Sequence, residues 1–439
     1  MISSAAAALD SRHPLAVSAG VDMEVTYRKI AWRLIPFLVF LFVLAWIDRV
    51  NVGFAKLQML QDLQFSEAVY GLGAGIFFIG YFLFEVPSNL LLEKIGARKT
   101  LARITILWGL ASMAMAYVTT PIGFYALRFL LGVFEAGFFP GVVLYLTYWF
   151  PAERRARING LFMTSFAIAG AIGGPIAGLV MSRMEGVGHL ANWQWLFILE
   201  GIPSLIAGVL VLRYLPEKPA NAKWLTTAEQ QAVTQALVAE NTASGKHVSF
   251  KDALKSSRVW ICAAVYFCLV SGNATIAFWA PSIIKEIGIK GNLQIGLISA
   301  IPFIAGTLAM IWNGVHSDKS GERRMHCAVA TLIASTGLIL TGLCLGNALM
   351  AMCALTLAAI GILAAFPVFW SIPAAFLAGT AAAGGIALIN SIGNLAGFAA
   401  PYLIGALKTS TGSLSSGLYF VAALEFAASF LLILFVRRT

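Results

Sequence analysis

Between Arg324 and Lys408 the chain runs for 83 residues without a single Asp, Glu, Lys or Arg. A helix that crosses a bilayer needs about 20 apolar residues, so this stretch is long enough for three spans and has no charge to offer a water-soluble surface. The remainder agrees: 59% of the 439 residues are hydrophobic and 11% are charged, where soluble domains carry about 25% charged residues. Disorder is excluded by the same apolar content. Backbone polar groups in hydrocarbon must be satisfied within the protein. The chain is therefore expected to be an all-α polytopic membrane protein.

Twelve apolar windows of spanning length follow one another from 32–54 to 416–436. With the N-terminus placed inside, 23 of the 30 Lys and Arg fall in cytoplasmic tails and loops, which satisfies the positive-inside rule with both termini cytoplasmic. Five fall in outer loops (Lys56, Arg183, Lys285, Lys290 and Lys408), and Arg49 and Arg128 lie within spans. The net charge of +10 is thereby assigned to membrane orientation and lipid headgroups, not to nucleic acid. Cys262, Cys268, Cys327, Cys344 and Cys353 include no CxxC pair and no His at ligand spacing, so they read as packing residues, and no metal is expected. The first thirty residues hold Asp10, Asp22 and Glu24 without an apolar core, unlike a secretory signal.

A hydrophilic stretch from Leu215 to Ser257, with a surface helix expected over 225–240, divides six spans from six. The resulting units are an N-terminal tail (1–31), a first bundle (32–213), a central loop (214–258), a second bundle (259–436) and a short C-terminus (437–439). The loop Glu93-Lys94-Ile95-Gly96-Ala97-Arg98-Lys99 recurs as Asp318-Lys319-Ser320-Gly321-Glu322-Arg323-Arg324, 225 residues on. Pro175, in a Gly-rich fifth span, recurs as Pro401 in the eleventh, 226 residues on. Two features at nearly one offset argue for duplication.

Parallel six-helix repeats with a substrate path between them occur in secondary transporters. The repeated acidic-basic loops, the twelve spans and the long central loop resemble the major facilitator superfamily over nearly the whole chain. Asp48-Arg49-Val50-Asn51, Phe84-Glu85-Val86-Pro87-Ser88-Asn89, Arg128 with Glu135 before Phe139-Pro140-Gly141, and Trp193-Gln194-Trp195-Leu196-Phe197 are similar to the anion:cation symporter family. They resemble especially its bacterial branch of tartrate and related carboxylate carriers, and more distantly the sialic-acid and vesicular glutamate transporters. The resemblance implies a bacterial inner-membrane carrier with protonation at the carboxylates of spans one and four and anion binding or gating at the arginines.

The residues support that direction on their own. A charge at the bilayer centre costs about 2.5–3.5 kcal/mol on insertion scales, so Asp48, Arg49, Arg128 and Glu135 should face the bundle interior. Arg128 and Glu135, seven apart, share a helix face. An Arg binds a carboxylate through two parallel hydrogen bonds and keeps its proton, whereas a buried carboxylate can be brought to titrate by its surroundings. Arg49 and Arg128 are thus substrate-binding candidates, and Asp48 and Glu135 proton-coupling candidates. The competing reading is a structural ion pair, Asp48 with Arg128 or Arg49 with Glu135. Glu85 and Glu200 sit beside Pro87 and Pro203 and read as partners for backbone groups freed there; Glu425 reads as a local hydrogen-bond partner.

The second half has no other intramembrane charge, so its share of a site must be polar and aromatic: Tyr266, Asn273, Trp370, Ser371, Asn390 and Asn394, with Tyr81 facing them. Trp370 and Ser371 precede Pro373 in a helix expected to be broken. The asparagines read equally as interhelical glue. Glu93, Arg98, Asp318 and Arg323 are expected to pair at the cytoplasmic ends and gate the cycle. The expected activity is proton-coupled import of a small organic carboxylate, tartrate or a related hydroxy or sugar acid, with an aromatic carboxylate such as hydroxyphenylacetate or phthalate, or exchange or export, as the alternatives. A phosphate-binding loop is absent and no nucleophile, base and orienting group occur together, so neither an ATP-driven pump, an enzyme nor a cofactor is expected. The fold can work as a monomer.

Overall fold

The computed structural model describes residues 21–241, 256–376 and 379–435, so part of the N-terminal tail, most of 242–258 and the C-terminus lie outside the described residues. Within them the chain is helical nearly throughout. The first half comprises α1 (Met23–Val50), α2 (Val52–Asp62), α3 (Glu67–Ile95), α4 (Ala97–Ala114), α5 (Pro121–Glu135), α6 (Phe138–Thr147), α7 (Ala152–Arg183) and α8 (Asn192–Tyr214). The surface helix α9 (Thr227–Asn241) follows, and then α10 (Ser257–Glu286), α11 (Asn292–Ser320), α12 (Arg324–Leu343), α13 (Ala348–Phe376), α14 (Gly379–Thr411) and α15 (Leu414–Phe435). Among the described residues eleven helical segments are long and apolar enough to cross a membrane, α1–α2 and α5–α6 each counting as one. The twelfth expected span corresponds to α14, continuous over 33 residues.

Local chemistry sets the ends of these helices. Asp22 accepts the amides of Glu24 and Val25 at the start of α1, Ser66 accepts that of Val69 before α3, and Thr120 caps α5 ahead of Pro121, each satisfying donors that a helix leaves unpaired. Two spans are divided. The first has a local irregularity at Asn51, whose dihedrals stay helical (φ −56°, ψ −29°), and continues as α2; the fourth breaks at Ala136 and Gly137, the latter at φ +83°, a conformation only glycine adopts freely. Both points lie next to the charged residues singled out from the sequence. The prolines do not break their helices: α13 runs through Pro367 and Pro373, so the expected broken helix at Trp370 is not found, because packing on both sides outweighs the missing hydrogen bonds.

The duplication is visible in the packing. In the first half α4 lies on α8, α3 on α5 and α1 on α7; in the second the equivalent helices repeat these contacts, α12 on α15, α11 on α13 and α10 on α14. The halves meet along two matching seams, α3 with α14 and α7 with α11. Glycines line both. A Cβ on Gly71 would collide with the Pro401 carbonyl and stand 3.2 Å from Gly405 Cα, and one on Gly178 would stand 2.9 Å from Gly296 Cα. Such approach of backbones is the packing that small residues permit in membranes. Gly71→Leu is therefore expected to wedge the first seam apart; overpacking of this kind costs about 1–3 kcal/mol, so the purified protein should still elute as a folded species but unfold at a lower temperature. An unchanged unfolding temperature would show that this seam need not close.

Candidate functional site

The charges of the first half converge on one aromatic ring. Arg49 and Arg128 both lie 5.2 Å from the centroid of Phe77, and Arg49 also lies 5.6 Å from Trp46 and 5.5 Å from Tyr81. Glu135, at the last residue of α5, accepts from Nε of Arg49 at 3.1 Å and from its terminal nitrogen. One of the two alternative pairs is thus formed. The other is not: Arg128 is fully buried and donates to the carbonyls of Gly73 at 3.2 Å and of Arg49 and Ala74 at 3.4 Å, which ties α5 to α1 and α3. Of Asp48, Arg49, Arg128 and Glu135, Arg49 keeps exposed side-chain surface, 17%, against 1% for its partner.

Asp48 turns the other way, into the first bundle between α1, α4 and α8. Its carboxylate accepts from Trp108 Nε1 at 3.1 Å, Ser112 Oγ at 2.7 Å and Ser204 Oγ at 2.5 Å. These are neutral donors from two other spans, so Asp48 is not part of the Arg49–Glu135 contact although it is adjacent in sequence. Glu200 faces the Asn51 side chain and not a backbone group freed at Pro203, through which α8 continues. Glu425 also differs from expectation: it is fully buried in α15 and its oxygens are unpaired.

The second half contributes an aromatic cluster. Tyr266 stacks on Phe369 at 5.1 Å and meets Trp370 edge to face at 4.8 Å; a Cβ on Gly393 would strike its ring. Asn273, Ser371, Asn390 and Asn394 are half-buried, and Ser371 donates to the Pro367 carbonyl at 3.4 Å. Tyr81 packs beside Phe77. One turn further along α3, Glu85 is within electrostatic reach of both Arg49 and Tyr266. Its charge is thus felt in both halves of the candidate site.

Of the two repeated loops, the second forms its expected pair, Arg323 with Asp318, and Arg323 also reaches Ser317 at 3.2 Å. Glu322 in this loop accepts the amides of Met325 at 2.6 Å and His326 at 3.1 Å. Partial burial opposes its charge, but these amides and the His326 ring prevail and hold its carboxyl below the usual value. In the first loop the amides of Ala97 and Arg98 are capped by Glu217, a residue of the central stretch, and the side chain of Glu93 lies outside those described.

A third group of charges closes one end of the molecule. Lys56, expected in an outer loop, is 96% buried in α2 with Nζ 3.6 Å from the Trp279 ring and 4.5 Å from that of Tyr70; Arg49 and Arg128 are therefore not the only cations within the spans. The hydropathy signal fades at Lys56, Gln58, Gln61 and Asp62, but the helix does not. Lys56 pairs with Glu67 at 2.6 Å, Glu67 with Lys408 at 3.1 Å, and Lys408 with Glu286 at 3.1 Å. Tyr70 donates to the Phe278 carbonyl at 2.6 Å and Lys285 to that of Leu57 at 2.8 Å. The Glu67–Lys408, Tyr70–Phe278 and Lys285–Leu57 contacts cross between halves at the end that carries the turns after α2 and α10.

Twelve helical segments in two repeated halves, with buried opposite charges facing their junction, define a membrane carrier. A sequence model of the Major Facilitator Superfamily matches residues 38–401. Two proteins of Agrobacterium vitis, each named "Putative tartrate transporter", are 50% and 48% identical over 406 and 421 residues, covering 92% and 95% of this chain and 93% of each relative. Among solved structures, an inward-facing bacterial homologue of the human lysosomal transporter Spinster superposes with a TM-score of 0.72 at 15% identity, over 93% of this chain and 95% of that one. The chain belongs to the Major Facilitator Superfamily. It is an integral membrane transporter and not an enzyme.

Lys408→Ala removes both bonds by which the charge chain crosses from Glu67 to Glu286. Spin labels at positions 63 and 410, in a background without native cysteine, are expected to show a longer separation in a larger fraction of molecules than in the parent. An unchanged distance distribution would show that the glycine seams alone hold this end shut.

Proposed function

We propose that this carrier imports a small organic carboxylate together with protons by alternating access, with Arg49 binding the carboxylate and Glu135 carrying a proton. The Arg49–Glu135 pair supports this reading. While Glu135 is ionised it occupies Arg49. Once it is protonated, the attraction ends and the guanidinium can donate to the two oxygens of a substrate. Proton and substrate then share one site in sequence, which is what coupling requires. Arg128, its donors on backbone carbonyls, adds positive potential and fixes α5. Tyr81, Tyr266, Trp370 and Ser371 would enclose the body of the substrate, and Asn273, Asn390 and Asn394 its hydroxyls. Asp48 would hold a further proton, and Glu93, Arg98, Asp318 and Arg323 would stabilise the closed form of the other end.

Taken with the positive-inside rule, the closed end faces outward, both termini are cytoplasmic, and the carrier works in a bacterial inner membrane, as a monomer. The names of the Agrobacterium relatives support tartrate or a related hydroxy acid. The stack of Tyr266, Phe369 and Trp370 favours a second reading, an aromatic carboxylate whose ring would lie against those rings.

The experiment is dye-reported acidification of proteoliposomes on addition of tartrate, a sugar acid, hydroxyphenylacetate or phthalate. One carboxylate is expected to drive proton entry, with about tenfold accumulation per pH unit for one proton per neutral complex. Glu135→Gln should abolish net accumulation and keep exchange of labelled substrate, and Arg49→Ala should abolish both. Proton-driven accumulation retained in Glu135→Gln would refute the assignment of the proton.

A further inference from the structure

Asp48 and Glu200 are two buried carboxylates, 1% and 5% exposed, within electrostatic reach of one another. Ser204, which bonds Asp48, stands one helical turn beyond Glu200 on α8. Their surroundings are unequal. Asp48 receives three hydrogen bonds, all from neutral donors; Glu200 meets the Asn51 side-chain amide. A carboxylate that accepts three donors is arranged as an anion, whereas one with a single amide beside it in a buried setting has little to offset its charge. Among the described residues the cations of this region face elsewhere: Arg49 and Arg128 turn to Phe77, Lys56 to Trp279 and Arg103 to Ser88, while the acidic Glu135 also reaches Asp48. Two such groups share a proton in preference to both ionising.

A third residue completes the arrangement. Asn51, 1% exposed, places its side-chain amide against Glu200. It stands between α1 and α2, in the segment that carries Asp48 at one end and the closed-end cation Lys56 at the other.

We infer that Asp48 and Glu200 form a proton-sharing pair within the first bundle, with the proton on Glu200 and the charge on Asp48 in the conformation described. Transfer moves one proton from a Glu200 oxygen to an Asp48 oxygen and leaves Glu200 ionised, with the Asn51 amide as its donor. The ligand is a proton, and the site is separate from Arg49 and the substrate. As a deepening of the proposed coupling, it gives the carrier a second proton site, which Asn51 links to the segment that carries Lys56.

Infrared spectroscopy of the purified full-length protein tests this without requiring transport. A carboxylic-acid carbonyl band that shifts in deuterium oxide is expected in the parent at neutral pH and should lose one carboxyl's intensity in Glu200→Gln. Ser204→Ala, which keeps both carboxyls but removes a donor from Asp48, should shift that band and carries the test if Glu200→Gln does not fold. Identical spectra for parent and folded variants would overturn the inference. So would loss of the band on addition of sodium at constant pH, which would make this a metal-cation site. In proteoliposomes the ratio of protons to substrate should fall by one in Glu200→Gln. A parent that moves no protons but shows the band would refute the coupling and leave the pair standing.

Discussion

A charge inside a membrane protein must be answered by an opposite charge or by enough dipoles, because removing one partner leaves an ion in a medium that cannot solvate it. The Arg49–Glu135 contact meets that requirement in a way that can be exchanged. Arg128 and Asp48 satisfy it with dipoles, the first with backbone carbonyls and the second with three side-chain donors. Arg49 has a single acidic partner and some exposed surface, so a second carboxylate can take the partner's place if a proton neutralises Glu135. The helix break at Ala136 and Gly137 follows immediately, which puts the titrating group next to a point where the span can change direction.

Much of the architecture was legible because hydrocarbon leaves few alternatives. The charge-free run, the alternation of basic loops and the two features near one offset define twelve spans in two repeats, and the packing of α4 on α8 and α12 on α15 bears out the duplication. The partners of individual charges were less legible. Asp48 and Arg49 are adjacent in sequence, yet successive helix residues point about 100° apart, so one entered the bundle and the other faced the junction. Lys56 escaped notice because a window average records composition, not the Trp279 ring that comes from another half of the molecule. Glu85 and Glu200 stand near Pro87 and Pro203, but the group a helical proline leaves free is a carbonyl, to which an ionised carboxylate has no hydrogen to donate.

The same constraint links the candidate site to the closed end. Lys56 and Arg49 lie on consecutive helices joined at Asn51, so movement of α2 away from Trp279 alters the setting of the α1 charges. The glycine seams allow close approach without specifying when it occurs; the charge chain from Lys56 to Glu286 adds a directional preference at one end. Ionic contacts near solvent are individually weak, which suits a contact that must open in every cycle.

The central claim is that a substrate carboxylate replaces the Glu135 carboxylate on Arg49. It is tested most directly by measuring proton uptake on binding, through calorimetric titration of the purified carrier with its substrate in buffers of different ionisation enthalpy. The account predicts uptake of about one proton per bound carboxylate, lost in Glu135→Gln while binding persists. Binding of equal strength with no proton taken up by the parent would contradict it.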